Sequence, residues 1–88
     1  MWHIDPISLR LFIAVCEEGT IARAAEREFI APSAVSKRIA DIEVHLGVSM
    51  LRRSKRGVTP TPAGQALLRH ARQLMLSMER LQGEISEY

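Results

Sequence analysis

The sequence predicts a mostly α-helical fold, made of three short helices, a small β-hairpin and one long C-terminal helix. Two observations support it. Apolar residues recur at helical spacing in four segments, and each of these segments begins at a capping residue or a proline. Between the third and fourth segments lies a short stretch with β-compatible ends and a basic middle. At 88 residues, the chain is long enough for one small core.

Composition excludes several classes of protein. Apolar residues make up 47% of the chain and charged residues 25%, which is typical of a soluble globular domain rather than a disordered chain. Cys16 is the only cysteine, so an internal disulfide is excluded, and we expect a buried thiol in a cytoplasmic protein. No stretch approaches the roughly 20 apolar residues of a membrane span.

The first helix is predicted to begin at Pro6, because Asp5 is a good N-cap and proline is favoured at the first helical position. It should run to about Glu18 and end before Gly19. Its apolar residues share one face: Leu9, Phe12, Ile13 and Cys16.

The second helix is predicted to follow a cap at Thr20 and to run from Ile21 to about Glu28. Its alanine-rich sequence allows close packing against a neighbouring helix. Arg23 and Arg27 are expected on its outer side.

The third helix is predicted from about Pro32 to Leu46, with Gly47 as its C-terminal stop. Its core-facing stripe contains Val35, Ile39, Ile42 and Leu46. At 100° per residue, the opposite face contains Ser33, Lys37 and Ala40, and the flanks contain Ser36 and Arg38. This helix therefore has an apolar face and a polar, basic one.

Residues 48–61, "VSMLRRSKRGVTPT", are consistent with a hairpin in which Pro60 confines the second strand to an edge or an end. Four of the chain's 12 lysines and arginines lie in residues 51–56, so this hairpin is strongly basic. Such a block is either a solvated loop or a surface for a polyanion.

The fourth helix is predicted to open at Thr61-Pro62 and to extend as far as Tyr88. It carries a heptad seam: Leu67, Ala71, Leu74, Met78, Leu81 and Ile85. Leu68 and Met75 widen the apolar face, so part of the helix is expected to pack on the domain and part on a second chain. The alternative is a helix that belongs wholly to the core of one domain.

The second and third helices, with their tight link, form a helix-turn-helix, and the hairpin is its wing, which makes the fold a winged helix-turn-helix. The third helix then enters the major groove of DNA with its N-terminal part. Ser33 and Ser36 suit base edges or phosphates, Lys37 suits guanine or phosphate, and Ala40 suits a thymine methyl. Arg38 is expected at the DNA backbone. About half of Arg52, Arg53, Lys55 and Arg56 should reach DNA, because side chains alternate along a strand.

Residues 20–64 resemble the N-terminal winged helix-turn-helix of the LysR-type bacterial transcriptional regulators. The matching features are Ala24-Ala25, Ala34-Val35-Ser36 before a basic pair, Ile42-Glu43, Leu46-Gly47, Arg53 and the ending Thr61-Pro62-Ala63-Gly64. With the flanking helices, the resemblance covers essentially the whole chain.

The resemblance implies that residues 1–61 form a DNA-binding domain and residues 62–88 a linker helix through which two chains pair antiparallel. The implied partners are double-stranded operator DNA and a second copy of the chain, in a bacterial regulator of transcription. Family members are usually longer, with a C-terminal domain, outside this chain, that binds a small-molecule effector and assembles tetramers. No cofactor is implied for the DNA-binding domain.

Carried over from the family, the DNA contacts fall at Thr20, Arg23, Pro32, Ser33, Ser36, Lys37, Arg38, Arg53, Lys55 and Arg56. Three residues depart from the family pattern. Ala31 replaces a capping serine, at a cost of about 1 kcal/mol. Pro32 stands where a glutamine often reads a base, and Pro60 replaces an apolar strand residue.

Three other functions are disfavoured by the sequence. An enzyme needs clustered catalytic groups or metal ligands, whereas His3, His45 and His70 are scattered. A protein-interaction module would use the long helix to dimerise and the basic wing only for solubility. Sequence-blind nucleic-acid binding usually requires more aromatic residues or a larger charge than the net +2 of this chain.

Overall fold

The computed structural model describes residues 4–88 and contains four helices and one hairpin. In chain order these are α1 (Pro6–Glu18), α2 (Ile21–Glu28), α3 (Pro32–Leu46), β1 (Leu51–Ser54), β2 (Gly57–Pro60) and α4 (Pro62–Ile85). The two strands pair antiparallel. The predicted fold class and the predicted bounds of the first three helices are confirmed.

Local capping explains why these bounds follow from the sequence. The side chains of Asp5 and Thr20 accept hydrogen bonds from backbone N–H groups three residues further on, at 2.7 and 3.1 Å. Thr61 caps α4 in the same way, with a distance of 3.0 Å to the nitrogen of Gly64. At the other ends, Gly19 and Gly47 adopt the left-handed conformation that closes α1 and α3.

The prediction that α4 reaches Tyr88 is wrong, because the helix ends at Ile85. The N–H groups of Glu87 and Tyr88 turn to carbonyls only three residues back, at 3.2 and 3.0 Å. The hydroxyl of Ser86 donates to the carbonyl of Gln82 at 2.7 Å, which also competes with regular helix geometry. The last turn therefore tightens and stops.

The core lies where α1, α2, α3 and the hairpin meet. Its largest fully buried side chains are Phe12, Leu11, Ile39, Ile42, Val15 and Val35. Ala24 and Ala25 are buried, as expected from the close packing of α2. The prediction that Leu46 belongs to the buried stripe of α3 is wrong, because this side chain is 36% exposed. The last turn of α3 extends past the core, and Leu46 lines an apolar groove beside Met50 and Leu74 instead.

α4 packs on the domain mainly through the part that ends at Met75. Leu67 and Ala71 lie against Leu9 and Ile13 of α1, in a second apolar cluster that Leu68 and Met75 border. The four later seam residues are about half exposed: Leu74 51%, Met78 46%, Leu81 61% and Ile85 57%. The interpretation of α4 as wholly a core helix is therefore wrong, and its second half presents an uncovered apolar seam.

Candidate nucleic-acid interface

The polar face of α3 points away from the core, as its periodicity predicts. Ser33, Lys37 and Ala40 are exposed, while Ser36 and Arg38 are half-buried on the flanks. Val35 and Ile39, between them, are completely buried. Burial of these two residues fixes the helix, so that its polar side chains are presented outward.

The N-terminus of α3 has free hydrogen-bonding capacity. Ala31 provides no side-chain cap, and its carbonyl accepts from the N–H groups of Ala34 and Val35 at 3.0 and 3.1 Å. Pro32 has no N–H. Within residues 4–88, the N–H of Ser33 has no acceptor. The positive end of the helix dipole is therefore open to an anion or a base edge.

The two cations of α3 are held differently. Lys37 makes an exposed pair with Asp41, at 3.3 Å, which costs little to exchange for another anion. Arg38 donates to the Asp5 carboxylate at 3.2 Å and to the Ser8 hydroxyl at 3.3 Å. The backbone N–H and the hydroxyl of Ser8, and then Arg38, lower the pKa of Asp5 below its ordinary value. Arg38 is thus anchored to the start of α1.

The outer side of α2 is divided between two roles. Near its start, Thr20 caps the helix and Arg23 is exposed. Arg27 instead binds three carboxylates, at 2.8 Å to Glu17, 3.3 Å to Glu18 and 3.4 Å to Glu28. Only the beginning of α2 therefore offers an uncommitted cation.

The wing is a tight hairpin that turns at Lys55 and Arg56. Arg53 pairs with Val58, which places it on the same face as the buried Val58 side chain. Arg52 lies on the opposite face. The expected division of the basic side chains between two directions is therefore present in the strand register.

Glu43 joins the wing to α3. Its carboxylate accepts from the N–H groups of Met50 and Leu51, at 2.8 and 3.3 Å. On the other strand, the N–H of Val58 donates to the carbonyl of Gly19 at 2.8 Å. This role of Glu43 could not be predicted from the sequence, in which the only signal is a carboxylate next to the apolar Ile42. The Glu43 bonds fix the wing relative to α3, and the Val58 bond fixes it relative to the end of α1.

Most of the arginine and lysine side chains that form no ion pair among the described residues lie in the predicted interface, and the others are Arg69 and Arg80 of α4. Among the described residues, no ion pair involves Arg23, Arg52, Arg53, Lys55 or Arg56. On the side formed by α1 and α4, Arg72 binds Glu17 at 2.9 Å and Arg10 binds Glu28 at 3.0 Å. The first of these bonds is the main cause of the lowered pKa of Glu17. The wing and the start of α2 therefore carry positive charge that attracts a polyanion.

Groups outside this surface do not form a catalytic arrangement in the described part of the chain. Burial raises the pKa of the Cys16 thiol to about 11, so the thiol stays protonated. His45 and His70 are exposed on different helices, and His3 lies outside the described residues. Residues 4–88 contain no group of three side chains that suits a metal ion, and none of their helices is long and apolar enough to cross a membrane.

Comparison with known proteins places this geometry in one family. Residues 7–65 match the model described as "Bacterial regulatory helix-turn-helix protein, lysR family". The chain is 37% identical to the HTH-type transcriptional activator AllS of Klebsiella pneumoniae, over 99% of this chain and 32% of that protein. It therefore spans about a third of the length of this relative.

Two solved structures extend the likeness to three dimensions. The CbnR DNA-binding domain in complex with DNA has a TM-score of 0.83 and 36% identity, covering 94% of both chains. Full-length LysG from Corynebacterium glutamicum with bound effector Arg has a TM-score of 0.87 and 30% identity, covering 94% of this chain and 28% of that one. On the evidence of its fold, its exposed third helix and these matches, the chain belongs to the LysR family of bacterial helix-turn-helix regulatory proteins.

Proposed function

We propose that this chain binds double-stranded operator DNA sequence-specifically as a homodimer and thereby regulates transcription in bacteria. The main supporting observation is the exposed polar face of α3, bordered by unpaired cations, in a fold like that of a relative solved with DNA. Residues 1–61 are the DNA-binding part, and residues 62–88 form the linker and dimerisation helix. The protein is not an enzyme and acts in the cytoplasm.

In this proposal, α3 enters the major groove with its N-terminal half. Ser33, Ser36 and Lys37 contact base edges or phosphates, and Pro32 lies against the groove. Arg38 of α3, which is held by Asp5 and Ser8 at the start of α1, contacts a phosphate. The remaining contacts are with the sugar-phosphate backbone: Thr20, Arg23, Arg53, Lys55 and Arg56.

The dimer forms through the exposed part of α4. Four half-exposed apolar side chains at heptad spacing are what a second helix requires. Two recognition helices then face grooves about 34 Å apart, or a multiple of this distance. We further propose that the longer protein carries a C-terminal domain that binds a small-molecule effector and assembles tetramers, as in other members of the family.

Base readout by α3 predicts that Lys37→Ala loses specificity. We expect affinity for an operator selected from random duplexes to fall about fivefold to a hundredfold, the range for loss of one good base contact. Affinity for random duplex should change far less. Fluorescence anisotropy with both duplexes at one fixed salt concentration measures the two effects.

Arg80→Ala is the matched control, since it removes one exposed cation from α4. It should leave the ratio of operator to random affinity unchanged. An equal loss on both duplexes in Lys37→Ala would remove Lys37 from base readout. A wild-type protein that does not distinguish the operator from random duplex would contradict sequence-specific binding and favour a pure interaction module or sequence-blind binding.

A further inference from the structure

Phe29, which ends α2, is an exposed aromatic residue in an unfavourable backbone conformation. Its side chain is 96% exposed. Its φ of 57° is the only positive value for a non-glycine residue in the described chain. Phenylalanine rarely adopts this left-handed conformation, in which glycine or asparagine is more stable.

The fold uses the backbone of Phe29 but not its ring. The N–H of Phe29 donates to the carbonyl of Glu26 at 3.3 Å, and the N–H of Ile30 donates to that of Ala25 at 3.1 Å. The side chain of Ile30 packs against the core. Glycine or asparagine at position 29 would make the same turn, so the packing of residues 4–88 gives no reason for an aromatic ring here.

Phe29 lies close in the chain to the proposed DNA surface. Ala31, Pro32 and Ser33, which lead into the exposed face of α3, are all exposed. Phe29 precedes Pro32 by three residues, so their Cα atoms are at most about 11 Å apart. The side chains of Phe29, Ala31 and Pro32 have no hydrogen-bond donor or acceptor. The leading edge of the recognition helix is therefore apolar.

The major groove offers one apolar group that an apolar edge can contact. Base edges there present hydrogen-bonding groups, with the C5-methyl group of thymine as the exception, and phenylalanine is among the side chains that contact it. We propose, on the basis of the proposed function, that Phe29 contacts the C5-methyl group of a thymine at the edge of each half-site. This contact supplies sequence preference next to Pro32, which lacks the base-reading side-chain amide of the glutamine that often stands at this position.

The test compares thymine with uracil, which differs only by the missing methyl group. Each thymine of the selected operator is replaced singly by uracil, and affinity is measured for wild type and for Phe29→Asn, which tolerates the turn. We expect the affinity of wild type to fall about threefold to fivefold when one particular thymine in each half-site is replaced. This is the effect of losing the burial of one methyl group. Phe29→Asn should bind the thymine operator more weakly than wild type by a similar factor, and replacing the contacted thymine with uracil should not change its affinity further.

The ratio of thymine to uracil affinity within one protein does not depend on the fraction that is folded. Lys37→Ala is the control, and it should keep the sensitivity of wild type at the same thymine. If wild type and Phe29→Asn respond identically at every thymine, the contact does not exist. The proposed function then still stands as long as wild type prefers its operator to random duplex, and it fails separately if that preference is absent.

Discussion

Replacing Leu81 with glutamate is expected to convert the proposed homodimer into a monomer. Leu81 is 61% exposed, so the charge costs the isolated fold little, but in a helix pair it would be buried against apolar partners without a counter-charge. Sedimentation should show a single chain. Affinity for a duplex with two half-sites should fall on the order of a hundredfold, because the second recognition helix is no longer tethered to the first.

Leu76→Glu is a matched control. Leu76 is 49% exposed and lies 200° around α4 from Leu74, close to the opposite face from the seam. It introduces the same charge on the same helix and should leave the dimer intact. If Leu81→Glu remained dimeric, the seam would not be the dimer contact, and its exposed leucines would have to serve another purpose.

Removing Arg53 and Arg56 together is expected to weaken DNA binding broadly rather than selectively. Neither guanidinium has a carboxylate partner among the described residues, so both are available to phosphates. Each phosphate contact contributes about 0.9 to the slope of log affinity against log salt concentration. The double alanine variant should therefore have a slope shallower by up to about 1.8, with similar losses on operator and random duplex.

The charge-matched control is the pair Arg69→Ala and Arg80→Ala, which removes two exposed cations from α4. Its salt slope should stay close to that of wild type. An unchanged slope in the Arg53 and Arg56 variant would place the wing outside the phosphate interface. A loss confined to the operator would instead assign these arginines to base recognition.

The bounds of the first three helices and the start of α4 could be predicted because their signals are local. Asp5, Thr20 and Thr61 cap the helices that directly follow them, and Gly19 and Gly47 end the helices that precede them. The same periodicity that buries Val35 and Ile39 leaves Ser33 and Lys37 exposed. The surface of the candidate interface could therefore be predicted from the sequence.

What could not be predicted depends on contacts between distant residues. Arg38 binds Asp5, 33 residues away, and Glu43 caps the wing across the loop that follows α3. Periodicity places Leu46 on the buried stripe, but it does not show where the core ends. The exposure of Phe29 also depends on the way the turn after α2 packs. These features follow from the assembled fold rather than from any one segment.

Methylation protection of guanine N7, on the duplex that wild-type protein selects from a random pool, tests whether two copies of α3 read two major grooves. N7 lies in the major groove, so a helix seated there shields it. We expect two protected patches, centred about 34 Å apart along the duplex or at a multiple of that distance. One patch alone, or no protection at N7 on a bound duplex, would show that two copies of α3 do not occupy two major grooves.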